Sequence, residues 1–131
     1  MIKTLSHLIS EHPQFSFEPG MLVLFHNTLE KTIKLRIKSH DQARLWKLAD
    51  EHLQPVLDDY STAGVLLHIL QTTIGEGCEI ELERKVWFFT PTWSIKIKRY
   101  FIKEEDSILG NVLATVLLKL WDERKLERSN S

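Results

Sequence analysis

The chain has 131 residues, 43% of them hydrophobic and 27% charged, with a formal net charge of −1. These values fit one globular domain and exclude a disordered chain, which lacks the apolar content to offset its ordering entropy. The charge argues against a strongly nucleic-acid-binding protein, which carries a basic excess, and the single cysteine, Cys78, excludes an intramolecular disulfide.

Ile2, Leu5, Leu8 and Ile9 recur at helical spacing until Pro13 ends the run. Pro19-Gly20 marks a turn, and 21–25 follows as a continuous apolar run that predicts a strand buried on both faces. After a turn over 27–30, the segment 31–38 alternates strictly. Ile33, Leu35 and Ile37 take one face and Lys34, Arg36 and Lys38 the other, which predicts a half-buried strand. Ser39 and Gln42 have capping-box spacing and open a helix over 40–57, with Leu45, Leu48, Ala49, Leu53 and Val56 as its apolar stripe and Pro55 near its end. Ser61 is placed to cap a second helix carrying Val65, Leu66, Ile69 and Leu70, which Gly75 and Gly77 end.

A second hairpin is predicted over 78–102. Cys78, Ile80, Leu82, Val86 and Phe88 alternate with Glu79, Glu81, Glu83, Lys85 and Trp87. Thr90-Pro91-Thr92 makes the turn, and the return strand over 94–102 sets Ile95, Ile97 and Phe101 against Lys96, Lys98 and Tyr100. Glu104, Glu105 and Asp106 open a last helix over 106–126 that Arg124 and Lys125 close, signs that suit the helix dipole. The order α-β-β-α-α-β-β-α predicts an α+β domain over 1–126 followed by a polar tail at 127–131. Its two hairpins are expected to join in one antiparallel four-stranded sheet, with helices packed on one face.

No catalytic signature is present: the glycines form no phosphate loop and no serine sits in a nucleophile elbow. The histidines at 7, 12, 26, 40, 52 and 68 lack metal-ligand spacing, so neither a metal nor another cofactor is expected. The longest apolar-rich stretch, 108–121, is shorter than the ~20 residues a bilayer needs. No signal-peptide core is visible at the start, and the chain is read as cytoplasmic.

Two surfaces stand out. Trp87, Phe88 and Phe89 cannot share one strand face, so they either pack under a helix or against Phe15 and Phe17, or form a partner-binding knob with Trp93. The last helix has a stripe wider than one sheet contact needs, leaving residues such as Leu113, Leu117 or Trp121 to be covered either by the two adjacent helices of the same chain or by a second copy. Trp87, Phe89, Trp93, Leu113, Leu117 and Trp121 are therefore the candidate interface, for a partner protein or for a second copy in a homodimer. The expected function is a non-enzymatic interaction or accessory module.

The runner-up is nucleic-acid binding through the basic strands 31–38 and 94–102, with Lys34, Arg36, Lys38, Arg84, Lys96, Lys98 and Arg99 as contacts to phosphate or another anion. Glu79, Glu81 and Glu83 oppose it, and read with the lysines they make a solvated charge ladder. A small enzyme without a recognisable motif is the third expectation. Arg84 and Arg99 fall on the otherwise apolar face of the second hairpin, where a β-bulge, a helix carboxylate or a bound anion would each account for them.

Overall fold

A computed structural model describes residues 4–26, 32–75 and 79–129, the side chains of Trp87 and of 123–129 excepted. The readings made above for the turn at 27–30, for Gly77, for Cys78 and for the side chains of Trp87, Arg124 and Lys125 lie outside the described residues.

The elements run α1 (Leu5–Glu11), β1 (Leu22–His26), β2 (Thr32–Arg36), α2 (His40–Ala49), β3 (Gln54–Pro55), α3 (Tyr60–Ile74), β4 (Ile80–Trp87), β5 (Thr90–Ile97), β6 (Ile102–Asp106) and α4 (Leu109–Ser129). The class is α+β, but the single four-stranded sheet is overturned. The strands form two separate antiparallel sheets, β2-β1-β3 and β4-β5-β6. Each hairpin is extended by a third strand of its own, β3 on β1 and β6 on β5, taken from a segment that reads as helix in the sequence.

The first recruit is β3. The helix expected over 40–57 stops at Ala49, because Asp50 turns its carboxylate back to accept the amides of His26 at 2.8 Å and His52 at 2.9 Å. The chain then runs extended, pairing Leu24 with Gln54 and Val23 with Pro55. Pro55 cannot donate to a helix, and a strand edge tolerates it. Leu53, Val56 and Leu57 are buried from this extended segment rather than from a helix. Helix α2 instead buries Ala43 and half-buries Trp46, leaving Leu45 and Leu48 in solvent.

The second recruit is β6. The strand expected over 94–102 ends at Ile97, a single 3₁₀ turn spans Lys98–Tyr100, and Phe101 adopts a left-handed conformation with φ 55°. That reversal lays 102–106 antiparallel to β5, from Ile97 opposite Ile102 to Trp93 opposite Asp106. The acidic residues expected in the first turn of α4 therefore lie in a strand, where Glu104 pairs with Lys119 of α4. Helix α4 starts at Leu109 and continues into the segment read as a polar tail.

The core lies where α4 meets α3, α1, β5 and β6. Val112, Leu113, Val116, Leu117 and Leu120 of α4 are buried with Leu66 and Leu70 of α3, Ile95 and Ile97 of β5, and Ile9 of α1. Gly110 lets α4 approach the chain at Leu57: a Cβ there would lie 1.9 Å from the Leu57 carbonyl oxygen. The stripe of α4 is wide because it is packed from several sides by its own chain.

Candidate interaction site

Strands β4 and β5 pair without a bulge from Ile80 opposite Ile97 to Trp87 opposite Thr90, so the hairpin loop is the two residues Phe88 and Phe89. Both have positive φ, 49° and 66°, the pattern of a type I′ turn. Such turns strongly prefer Asn-Gly, because a Cβ in left-handed backbone meets the following carbonyl. Phe88 is 81% exposed and Phe89 99%. Among the described residues the non-glycine positive-φ positions are these two and Phe101, which is 96% exposed.

The tip lies beyond the end of β6. Strand β6 reaches only Trp93, whereas β4 and β5 continue through Lys85–Thr92, Val86–Pro91 and Trp87–Thr90. Three further pairs at ~3.3 Å per residue make an arm of about 10 Å. Val86 on this arm is 62% exposed. Trp87 and Thr90 close the loop as a hydrogen-bonded pair, so the next pair, Val86 and Pro91, points its backbone groups outward. A proline on that outer edge removes the donor that an added strand would need.

The strands pair without a bulge at Arg84, which stands opposite Trp93 at the base of the arm and is exposed on the face it shares with Ile80 and Leu82, Leu82 itself being 39% exposed. Its guanidinium lies 5.6 Å from the Trp93 ring centroid, in solvent. Arg99 sits in the 3₁₀ turn, exposed, at the same distance from the Tyr100 ring.

The predicted interface residues divide. Phe89 is at the tip. Trp93 is half-buried at the base of the arm. Leu113 and Leu117 are fully buried, and Trp121 is stacked on His12 at 4.8 Å and 6% exposed, so these three lie in the chain's own core.

The predicted basic contacts divide as well. Lys34, Arg36 and Lys38 belong to the first sheet and its exit, Lys96 and Lys98 to the second sheet and the turn after it, so the two basic strands do not share a face. Arg36 is held by Asp59, at 2.6 Å. Lys98 pairs with Glu81 at 3.0 Å, and their hydrogen bond raises the lysine pKa and lowers that of the glutamate. Lys96 stands directly opposite Lys103, and with Lys98 and Phe101 they border a hollow of about 370 Å3.

A larger groove, about 690 Å3, runs along one face of α3, with Gly64, Val65 and Ile69 on the helix side and Ser16, Glu18, Pro19 and His40 on the other. Ser16 donates to Glu18 at 2.7 Å, and the His40 ring lies 3.3 Å from the other Glu18 oxygen. The serine proton is thus directed to a carboxylate rather than an imidazole, an arrangement that does not make Ser16 a nucleophile. Among the described residues no three His, Cys, Asp or Glu side chains gather as metal ligands, and no buried side-chain polar atom lacks a partner. No helix among them is long and apolar enough to cross a membrane.

Reading the sequence missed Phe88 and Phe101, placed on apolar strand faces, and the groove. One signal points to the correct loop: pairing Glu81 with Lys96 puts the hairpin midpoint between Phe88 and Phe89. Turn chemistry pointed instead to Thr90-Pro91-Thr92. No protein-family model, no curated protein and no solved structure matches the chain.

Proposed function

We propose that the chain is a non-enzymatic interaction module whose contact element is the tip of the β4–β5 arm. One observation carries this reading: two phenylalanines occupy a turn that folding alone would give to Asn-Gly, and Phe89 is 99% exposed there. Left-handed backbone at residues other than glycine costs about 1–2 kcal/mol each, and the exposed rings forgo the burial that stabilises a core. Such strain concentrates at functional sites, and exposed aromatic side chains are the usual anchors of protein interfaces. Pro91 favours recognition through side chains over addition of a strand. The cytoplasm is the compartment this reading assumes.

The test is a photocrosslinking phenylalanine analogue at position 89 in the full chain expressed in cells, with the same analogue at the exposed Leu48 as control. The expected result is a discrete adduct from position 89 alone. It should be competed away by wild-type chain but not by Phe88→Asn/Phe89→Gly chain. Equal adducts from both positions, or none, would overturn the reading.

A second reading is favoured by Lys96 and Lys103, which stand opposite each other, Lys96 also facing Glu81 and Lys103 lying 3.9 Å from Glu105; with the exposed Phe101 beside them as a stacking platform, they form a site for single-stranded nucleic acid. Anisotropy titration of labelled single-stranded RNA and DNA at ~50 mM salt tests it. Binding should weaken in Lys96→Ala/Lys103→Ala and as salt rises, and no binding by the wild type ends this reading.

A further inference from the structure

The aromatic arm and the α3 groove are complementary parts on one chain. Resting on the arm as the contact element, we infer that its acceptor is a second copy of this protein, the Phe88–Phe89 tip of one copy seating in the α3 groove of the other. Four observations support this pairing. The groove, at about 690 Å3, is in the ~300–1,000 Å3 range that accommodates a compact ligand, here the two benzyl groups and their turn. Its floor is apolar, formed by Pro19, Val65 and Ile69, and it is open at Gly64, where an added Cβ would meet nothing within 4 Å.

The charges agree. The arm beyond β6, residues 85–92, has no acidic residue; its one cation, Lys85, lies 3.5 Å from Glu83 at the arm's base, where Arg84 adds a second positive charge. The groove lining has Glu18 as its one carboxylate and neither lysine nor arginine. The arm also has the reach, since it projects about 10 Å past the edge of β6 and brings its tip clear of its own sheet. Two copies that exchange arms reciprocally use the same contact twice and close as a two-fold dimer. A one-way exchange would leave a tip and a groove open at the ends.

The experiment is sedimentation velocity of the purified full chain across the micromolar range, with thermal melts of each variant as a check on folding. Phe89→Asp removes the knob. Gly64→Arg fills the groove with a side chain that helices accept and that repels Arg84 and Lys85. The wild type should sediment above monomer mass. Each variant should keep its fold and weaken association by about thirtyfold or more, the scale of an anchor residue. An equal mixture should associate more strongly than either variant alone, because the intact groove of one variant accepts the intact arm of the other, restoring one of the two contacts.

A wild type that stays monomeric, a Gly64→Arg chain that associates like wild type, or a mixture that associates no better than either variant alone overturns the inference. If the wild type is monomeric while the crosslinker at position 89 captures a different protein in cells, self-pairing falls and the arm's role as contact element stands. If neither occurs, both fall.

Discussion

Arg36 grips Asp59 with two nitrogens, Nη1 donating to Oδ2 at 2.6 Å and Nη2 to Oδ1 at 3.2 Å, and so ties β2 to the start of α3. Asp59 is also the N-cap of that helix, accepting the Thr62 amide at 2.9 Å and the Thr62 hydroxyl at 3.0 Å. The Thr62 oxygen in turn accepts the Leu22 amide of β1 at 2.8 Å. Three elements are thus joined through one carboxylate. The cap falls on Asp59 rather than Ser61, whose hydroxyl is given to the Gly20 carbonyl.

A pH dependence follows from this carboxylate. The Arg36 hydrogen bonds, followed by those from Thr62, outweigh burial and lower the Asp59 pKa from 3.8 to about 2. Its contribution to stability is therefore complete above the unfolded value of 3.8 and is lost as pH falls from there through about 2. Asp59→Ala should destabilise by about 2 kcal/mol, combining a lost cap with a lost charge-assisted bond. The partial exposure of Arg36 limits the ion pair's share. Urea melts across that pH window should show a shallower acid loss in Asp59→Asn than in wild type. Identical acid limbs would disprove the assignment.

Two glycines in helices should respond oppositely to alanine. Gly110→Ala drives a Cβ into the Leu57 carbonyl, a backbone atom that cannot swing away, and should cost about 1–3 kcal/mol. Gly64→Ala meets open space within α3 and should stabilise by up to about 1 kcal/mol. Denaturant midpoints for the pair measure this directly. A neutral Gly110→Ala would mean that α4 does not approach Leu57 as closely as described.

Replacing Phe88-Phe89 with Asn-Gly should raise stability by about 1–2 kcal/mol by relieving left-handed strain in the turn. The same variant should lose self-association. The two effects have opposite signs because the turn geometry and the contact make different demands on the same residues. A variant less stable than wild type would show the aromatic tip to be part of the folding core.

Leu117→Asp tests the other half of the predicted interface. Leu117 is fully buried against the chain's own elements, so the substitution should unfold the protein rather than dissociate it, at about 4 kcal/mol or more. Circular dichroism separates the outcomes: a folded monomeric Leu117→Asp would return this position to an interface.

Much of the local structure was legible in the sequence. The alternation in 31–38 and 78–89 predicted strands, the second of which ends at Trp87, and Ser39 marked the start of α2, where it accepts the Gln42 amide at 3.1 Å. These features depend on period and on capping chemistry within a few residues, which the sequence states directly. Leu45 and Leu48 misled because helical spacing identifies a stripe, not which stripe faces the core. Leu53 and Val56, flanking the extended strand β3, are buried there, and on α2 it is Ala43 and Trp46 that face inward instead.

The sequence by itself determined the class, α+β, from two strand pairs set among apolar helices; that the last helix carries much of the core came from the structure. It did not determine how the strands are shared between sheets, nor where the aromatic residues point. Both depend on the partner each edge finds: 54–55 and 103–106 form no recognisable strand until β1 and β5 offer them an edge, and Phe89, a candidate interface residue by its sequence, is set at the tip only because β6 ends short of it. Edge pairing and exposure are long-range properties, fixed by which segments meet in space, and residue type at one position carries only a weak preference for them.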